Sequence, residues 1–80
     1  MKTFEVFRGS DASGVSGTGK VAEGVIFEQG FCVLRWCTQY GPNSFVFYGS
    51  FADFLQIHCY SHPGNDTTIK YSDGEELHIA

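Results

Sequence analysis

Eighty residues make one domain, and a chain of this size buries only about 60% of its unfolded surface, so the core is small. Aromatic residues form 16% of the chain, eight of them Phe, and each buried ring removes roughly 150–250 Å² from water, which offsets the small size. The net charge is −4 and the basic residues Lys2, Arg8, Lys20, Arg35 and Lys70 are scattered, which excludes the clustered positive charge of a non-specific nucleic-acid binder and fits a basic surface on another protein.

The N-terminus, MKTFEVFRGS, is interrupted by Glu5 and Arg8 and does not read as a signal peptide. Residues 3–8 alternate, with Phe4, Val6 and Arg8 on one face, and predict a short half-buried strand. Residues 9–19 are rich in Gly and Ser and read as a loop or an irregular strand around Val15. Residues 21–36 then carry the longest unbroken apolar material, two runs joined by Glu28-Gln29-Gly30, and predict a β-hairpin.

The register of that hairpin has two solutions. A two-residue loop at Gln29-Gly30 pairs Phe27 with Cys32, Val25 with Leu34 and Glu23 with Trp36. It gathers Val25, Phe27, Cys32, Leu34 and Trp36 on one face and leaves Ile26, Val33 and Arg35 on the other. A three-residue loop pairs Phe27 with Phe31, Val25 with Val33 and Glu23 with Arg35. A one-residue slip exchanges the faces of a whole strand, so only one can hold. The first is preferred because it makes one dense apolar face, expected to meet Phe54 and Leu55. The other face must then be covered by the N-terminal strand or bind a partner.

Residues 38–43 form a turn around Gly41-Pro42, and Ser44 to Tyr48 predict a third strong strand returning antiparallel to the second arm of the hairpin. Ser50-Phe51-Ala52-Asp53 reads as a capping box opening one helix over residues 51–60, which Pro63 stops. Residues 67–79 predict a second hairpin. A three-residue loop Ser72-Asp73-Gly74, with Gly74 left-handed, pairs Ile69 with Leu77, Thr67 with Ile79 and Lys70 with Glu76.

Three motifs invite a sharper chemistry and each has a plainer reading. Residues 14–20 satisfy G-x-x-x-x-G-K, but Val21 stands where a P-loop needs Ser or Thr and a strand pattern follows instead of a helix. His58 and His62 at a helix end, with Cys32 or Cys37, supply the residue types of a zinc site. No C-x-x-C pair exists, so a packed His58 and a helix-capping His62 are preferred. Cys37, Cys59, His58 and Asp53 are the residue types of nucleophilic catalysis without any spacing that unites them. The three cysteines, Cys32, Cys37 and Cys59, follow no disulfide framework and suit an unexported protein with reduced thiols. No catalytic residue, cofactor or metal is therefore expected.

Trp36, Tyr40, Phe45, Phe47, Tyr48 and Tyr60 exceed what so small a core holds, and Tyr and Trp are enriched at binding hot spots. Tyr40 and Tyr48 are the expected surface aromatics. Asp73, Glu75 and Glu76 are a solvated hairpin tip or the electrostatic half of an interface.

The run Val15-Ser16-Gly17-Thr18-Gly19, then Val21-Ala22-Glu23-Gly24-Val25, Phe27, Gly30 and Val33-Leu34-Arg35-Trp36 resembles a family of small proteins encoded by bacteriophages and prophages. Ser44, Tyr48, Ser50, Asp53, Ile57-His58, Gly64, Thr68 and Ile69 fill comparable later places, so the resemblance spans residues 15–71. Cys37, Cys59, the Gly41-Pro42 turn and the extra strand over residues 75–79 depart from it. It implies origin more than activity.

The expected fold is α+β: a small twisted antiparallel sheet or open barrel of five to six strands with one helix. The expected function is a non-enzymatic phage inhibitor in the host cytoplasm, binding a host defence complex. By analogy of size and charge this is an anti-CRISPR protein occupying a basic or nucleic-acid-binding surface of a CRISPR effector, without itself binding nucleic acid or membrane. Arg35, Tyr40, Tyr48, Asp73, Glu75 and Glu76 are the expected partner-binding residues. The alternatives are a self-associating phage structural or regulatory module, such as a homodimer, and a small-ligand or metal-binding domain.

Overall fold

Alternation of apolar and polar side chains builds strands along most of the chain, of which the computed structural model describes residues 1–10, 18–37 and 44–79. The strands are β1 (Lys2–Arg8), β2 (Gly19–Ile26), β3 (Cys32–Trp36), β4 (Ser44–Tyr48), β5 (Thr67–Tyr71) and β6 (Glu76–Ile79). All pair antiparallel in one sheet of order β4-β3-β2-β1-β5-β6. Because β5 joins beyond β1, the chain leaving β4 has to cross β3, β2 and β1 to reach it. The helix α1 (Phe51–Leu55) and a π-helical turn (Gln56–Tyr60) belong to that crossing, and they cover one face of the sheet.

This arrangement corrects the expected α+β fold. Among the described residues, two five-residue helical segments against six strands make a sheet with a short helical cover. Among the described strands β4 and β6 end as separate edges, so these six do not close a barrel. Helix length is the physical reason. The first turn opens at Ser50, whose hydroxyl accepts the Asp53 N–H at 3.2 Å, but five residues later the ladder loosens into π geometry and ends at Ser61.

Under the helix the side chains of alternate residues meet as one core. Phe54 is fully buried, with ring centroids 6.0 Å from Phe4, 5.8 Å from Phe51, and 5.7 Å from both Tyr48 and His58. Each such pair contributes about 0.5–1.5 kcal/mol beyond the area it buries. Phe4 also lies across Gly24, its partner in the β1–β2 register. A Cβ there would come within 2.6 Å of the ring and 2.5 Å of the Val33 carbonyl oxygen. The absence of a side chain at Gly24 is what lets Phe4 reach Phe54.

The central hairpin takes the three-residue loop instead of the preferred two-residue one. Val25 pairs with Val33, Glu23 with Arg35 and Ile26 with Cys32, and the Phe27 N–H donates to the Phe31 carbonyl at 2.8 Å. Gly30 decides it, because at φ +97° it fills the left-handed third position of that loop. Ile26 therefore shares the helix-covered face with Cys32, Leu34 and Trp36, while Val25, Phe27, Val33 and Arg35 share the other. The N-terminal strand does not cover that second face; it lies beside β2 in the same sheet. In the second hairpin Ile69 faces Leu77, Thr67 faces Ile79, Lys70 faces Glu76, and Gly74 is left-handed at φ +93°, all as expected.

Candidate functional site

A bulge in β2 sets the chemistry of the uncovered face. Val6 pairs with Ala22 but Phe7 pairs with Lys20, so Val21 is an extra residue on the β2 side. Val21 and Ala22 are both buried, and the alternation changes phase between them and Lys20. Lys20 consequently stands on the open face, which strict alternation from Ala22 would deny it.

There it resolves a repulsion. Glu5 and Glu23 are directly opposite in the β1–β2 register, an unfavourable pairing for like charges. The Lys20 ammonium sits 2.8 Å from a carboxylate oxygen of each. Arg35 completes the set, donating to Glu23 Oε1 from Nε at 3.1 Å and from Nη2 at 2.9 Å. The Lys20 hydrogen bond, and then that of Arg35, holds the Glu23 carboxyl below its ordinary range, and Lys20 and Arg35 are raised in return. In register this row runs straight across the sheet as Glu76, Lys70, Glu5, Glu23, Arg35 and Phe45. Lys70 leans its ammonium over the Phe7 ring at 4.8 Å.

From Lys70 to Phe45 the row lies in a groove of about 490 Å³, lined among others by Thr3, Glu5, Glu23, Val25, Val33, Arg35, Phe45, Lys70 and Ser72. One end is polar and the other, on β3 and β4, is apolar. Phe45 stands there 65% exposed, and Phe47, two residues further along β4, is 78% exposed. An apolar wall beside a few converging charged groups is the usual composition of a ligand site.

The expected partner-binding residues do not form one surface. Arg35 is in the groove. Tyr40 lies outside the described residues, as do Gly41-Pro42 and most of the Gly-rich run ending at Lys20. Tyr48, expected at the surface, is 9% exposed and packs on Phe54. Asp73 and Glu75 reach back to Lys2, at 2.9 Å and 3.9 Å, and the hydrogen bond from Lys2 lowers the Asp73 carboxyl. Glu76 belongs to the row. Sequence reasoning misses Glu5, Lys20 and Glu23 as a site, because simple alternation gives no sign of the bulge that brings Lys20 to them.

The helix-covered side holds a second polar group, tightly enclosed. Arg8 is 7% exposed, lies over the Trp36 ring at 5.7 Å and donates from Nη2 to the His58 carbonyl at 3.5 Å. Trp36 meets the His58 ring edge to face at 5.0 Å. Burial, and then Arg8, lowers the His58 pKa. Burial also pushes the Cys32 and Cys59 thiols up to about 11, which keeps them protonated and unreactive at neutral pH. Among the described residues no group of three or more His, Cys, Asp or Glu lies together as a metal site. His78 and Asp66 pair on the outer edge. No helix among the described residues is long and apolar enough to cross a membrane.

A family model described as Acb5 phage protein matches residues 1–73. The chain belongs to that family. The Acb5 match takes in β1 to β5 and every residue that lines the groove, and stops before β6. A phage-encoded protein is what this membership supports. No curated protein and no solved structure matches the chain.

Proposed function

We propose that this phage protein inhibits a host defence from within the host cytoplasm, by holding a small host molecule in the open-face groove. The observation that supports this reading is the groove itself: a concavity of about 490 Å³, of ligand size, in which Glu5, Glu23, Arg35 and Lys70 border the apolar Val25, Val33 and Phe45. The guanidinium of Arg35, fixed by two hydrogen bonds to Glu23, presents its remaining donors without losing orientation. Val25 and Val33, paired across β2 and β3, supply apolar lining, and membership of a phage family supplies the setting.

The test is recovery of tagged protein from phage-infected cells, release of bound small molecules by denaturation, and their identification by mass. Enrichment of one compound by the wild type and its loss with Arg35→Ala supports the reading. No enrichment, or equal enrichment by the variant, overturns it. Binding without catalysis is part of the proposal, so the purified compound returned to the protein should keep its mass; a changed mass would replace a binder with an enzyme.

A second reading, occupation of a basic surface on a host defence complex such as a CRISPR effector, is supported by the −4 charge and by the exposed Asp73, Glu75 and Glu76 of the β5–β6 hairpin. It requires retention of that complex at low salt. Retention should be lost when the three carboxylates are replaced together by amides of the same shape (Asp73→Asn, Glu75→Gln, Glu76→Gln).

A further inference from the structure

The two edges of the sheet are built differently. β6 carries Glu76 and His78, and His78 is paired with Asp66, so charge guards that edge. β4, with the sequence SFVFY, has no charged residue and no proline.

The direction of its backbone groups left unpaired among the described strands follows from its neighbours. The Phe27 N–H donates to the Phe31 carbonyl and the Cys37 N–H to the Val21 carbonyl, each at 2.8 Å. Odd-numbered residues of β3 are therefore those that bond to β2. Antiparallel alternation turns the even-numbered ones, Cys32, Leu34 and Trp36, toward β4, where they face Tyr48, Val46 and Ser44. The N–H and C=O groups left pointing outward from β4 belong to Phe45 and Phe47.

These two residues flank Val46 symmetrically. A second β4 laid antiparallel about a two-fold axis at Val46 sets Phe45 against Phe47 of the other copy, and Phe47 against its Phe45. Both are then hydrogen-bonded pairs, which use all four outward groups of each strand, and Val46 meets Val46 at the close, non-hydrogen-bonded spacing. All four phenylalanine rings fall on the open face as adjacent cross-strand pairs. Each copy has a net charge of −4, and this uncharged strip is where two such copies approach with least repulsion.

We propose that β4 pairs with β4 of a second copy of this chain about a two-fold axis at Val46, joining two six-stranded sheets into one. The open faces then lie on the same side, with a ridge of four phenylalanines between two grooves. This assembly is independent of what either groove holds. At their observed exposures Phe45 and Phe47 offer on the order of 300 Å² per copy. A stable interface buries about 800 Å² per partner, so the strand backbone, Val46 and the exposed Ser44 must supply the rest and the dimer is concentration-dependent.

Light scattering on the purified protein over a concentration series tests this. The expected result is a mass rising from one chain to two, held at one chain by Phe47→Lys while the circular dichroism stays that of the wild type. The register is tested separately by oxidation in a Cys37→Ser background. Val46→Cys should give a disulfide-linked dimer, and Ser44→Cys, which faces Tyr48 of the other copy, should not. A wild-type chain that stays monomeric at every concentration overturns the proposal, as does a Phe47→Lys chain that still dimerises. Equal cross-linking through positions 44 and 46 overturns the two-fold register.

Discussion

The two faces of this sheet use similar amounts of strand and opposite physics. The helix-covered face is held by rings in contact, with Phe54 touched by Phe4, Phe51, Tyr48 and His58. The open face is held by a line of partly solvated charges, Glu5 to Lys20 to Glu23 to Arg35. Close packing is felt atom by atom, whereas exposed ion pairs contribute little and are screened by salt. Stability should therefore reside on one face while the other remains free to be specialised for binding.

Substitutions can break this contrast in order of size. Phe54→Ala empties the centre of the covered face and should cost about 3–5 kcal/mol. An 80-residue domain has only about 4–12 kcal/mol in all, so thermal and urea melts should show a protein near the unfolding threshold. Gly24→Ala forces a methyl against the Val33 carbonyl and the Phe4 ring and should cost about 1–3 kcal/mol in the same melts.

The next effect is pH-dependent. The folded-state pKa of His58 is depressed below 6.5, mainly by burial, so the folded protein binds fewer protons than the unfolded chain just below that value. Stability from this group is complete above about pH 6.5 and is lost as the pH falls toward the lower folded-state pKa. Urea melts from pH 7 downward should show the loss, and His58→Phe should make it shallower. The smallest effect belongs to the open face. Glu23→Gln should lower the melting temperature slightly at low salt and leave it unchanged at high salt, with the helix-covered core undisturbed in the aromatic circular dichroism.

The two hairpins show how much of this is legible in the sequence. Both loops read x-x-Gly, and both glycines are left-handed at the third position. In the second hairpin that placement agrees with the apolar pattern, since Ile69 with Leu77 and Thr67 with Ile79 leave little choice. In the first, most strand positions are apolar enough for either face, so the densest face outweighs the turn geometry when the sequence is read by pattern. The turn decides. Local backbone conformation is the stronger signal wherever both faces of a strand are apolar, because Gly30 has one way to satisfy its loop and Val25 has two ways to be covered.

The aromatic surplus is legible as a quantity but not as a distribution. Tyr48 and Phe47 are adjacent, and pleating alone sends one beneath Phe54 and the other into solvent. Which side each takes depends on the register of β3, where the pattern of apolar residues points one residue out. Strand positions and the Ser50 cap are visible because they are local. The charge row is legible only in parts, because hairpin spacing relates Lys70 to Glu76 and Glu23 to Arg35 while no sequence spacing sets Glu5 between Lys70 and Glu23.

The extra residue at Val21 gives β2 two countings of its own length. From Ala22 onward even numbers face the helix, and before it even numbers face away. Deleting Val21 would keep Val6 with Ala22 and Phe7 with Lys20 and leave both faces as they are, but running β2 straight through it without the bulge would exchange inside and outside for everything preceding it. The Lys20 ammonium would be carried to the helix side, leaving Glu5 and Glu23 confronting each other. The bulge at a single apolar position, rather than the identity of any charged residue, determines which side of the sheet carries the cation.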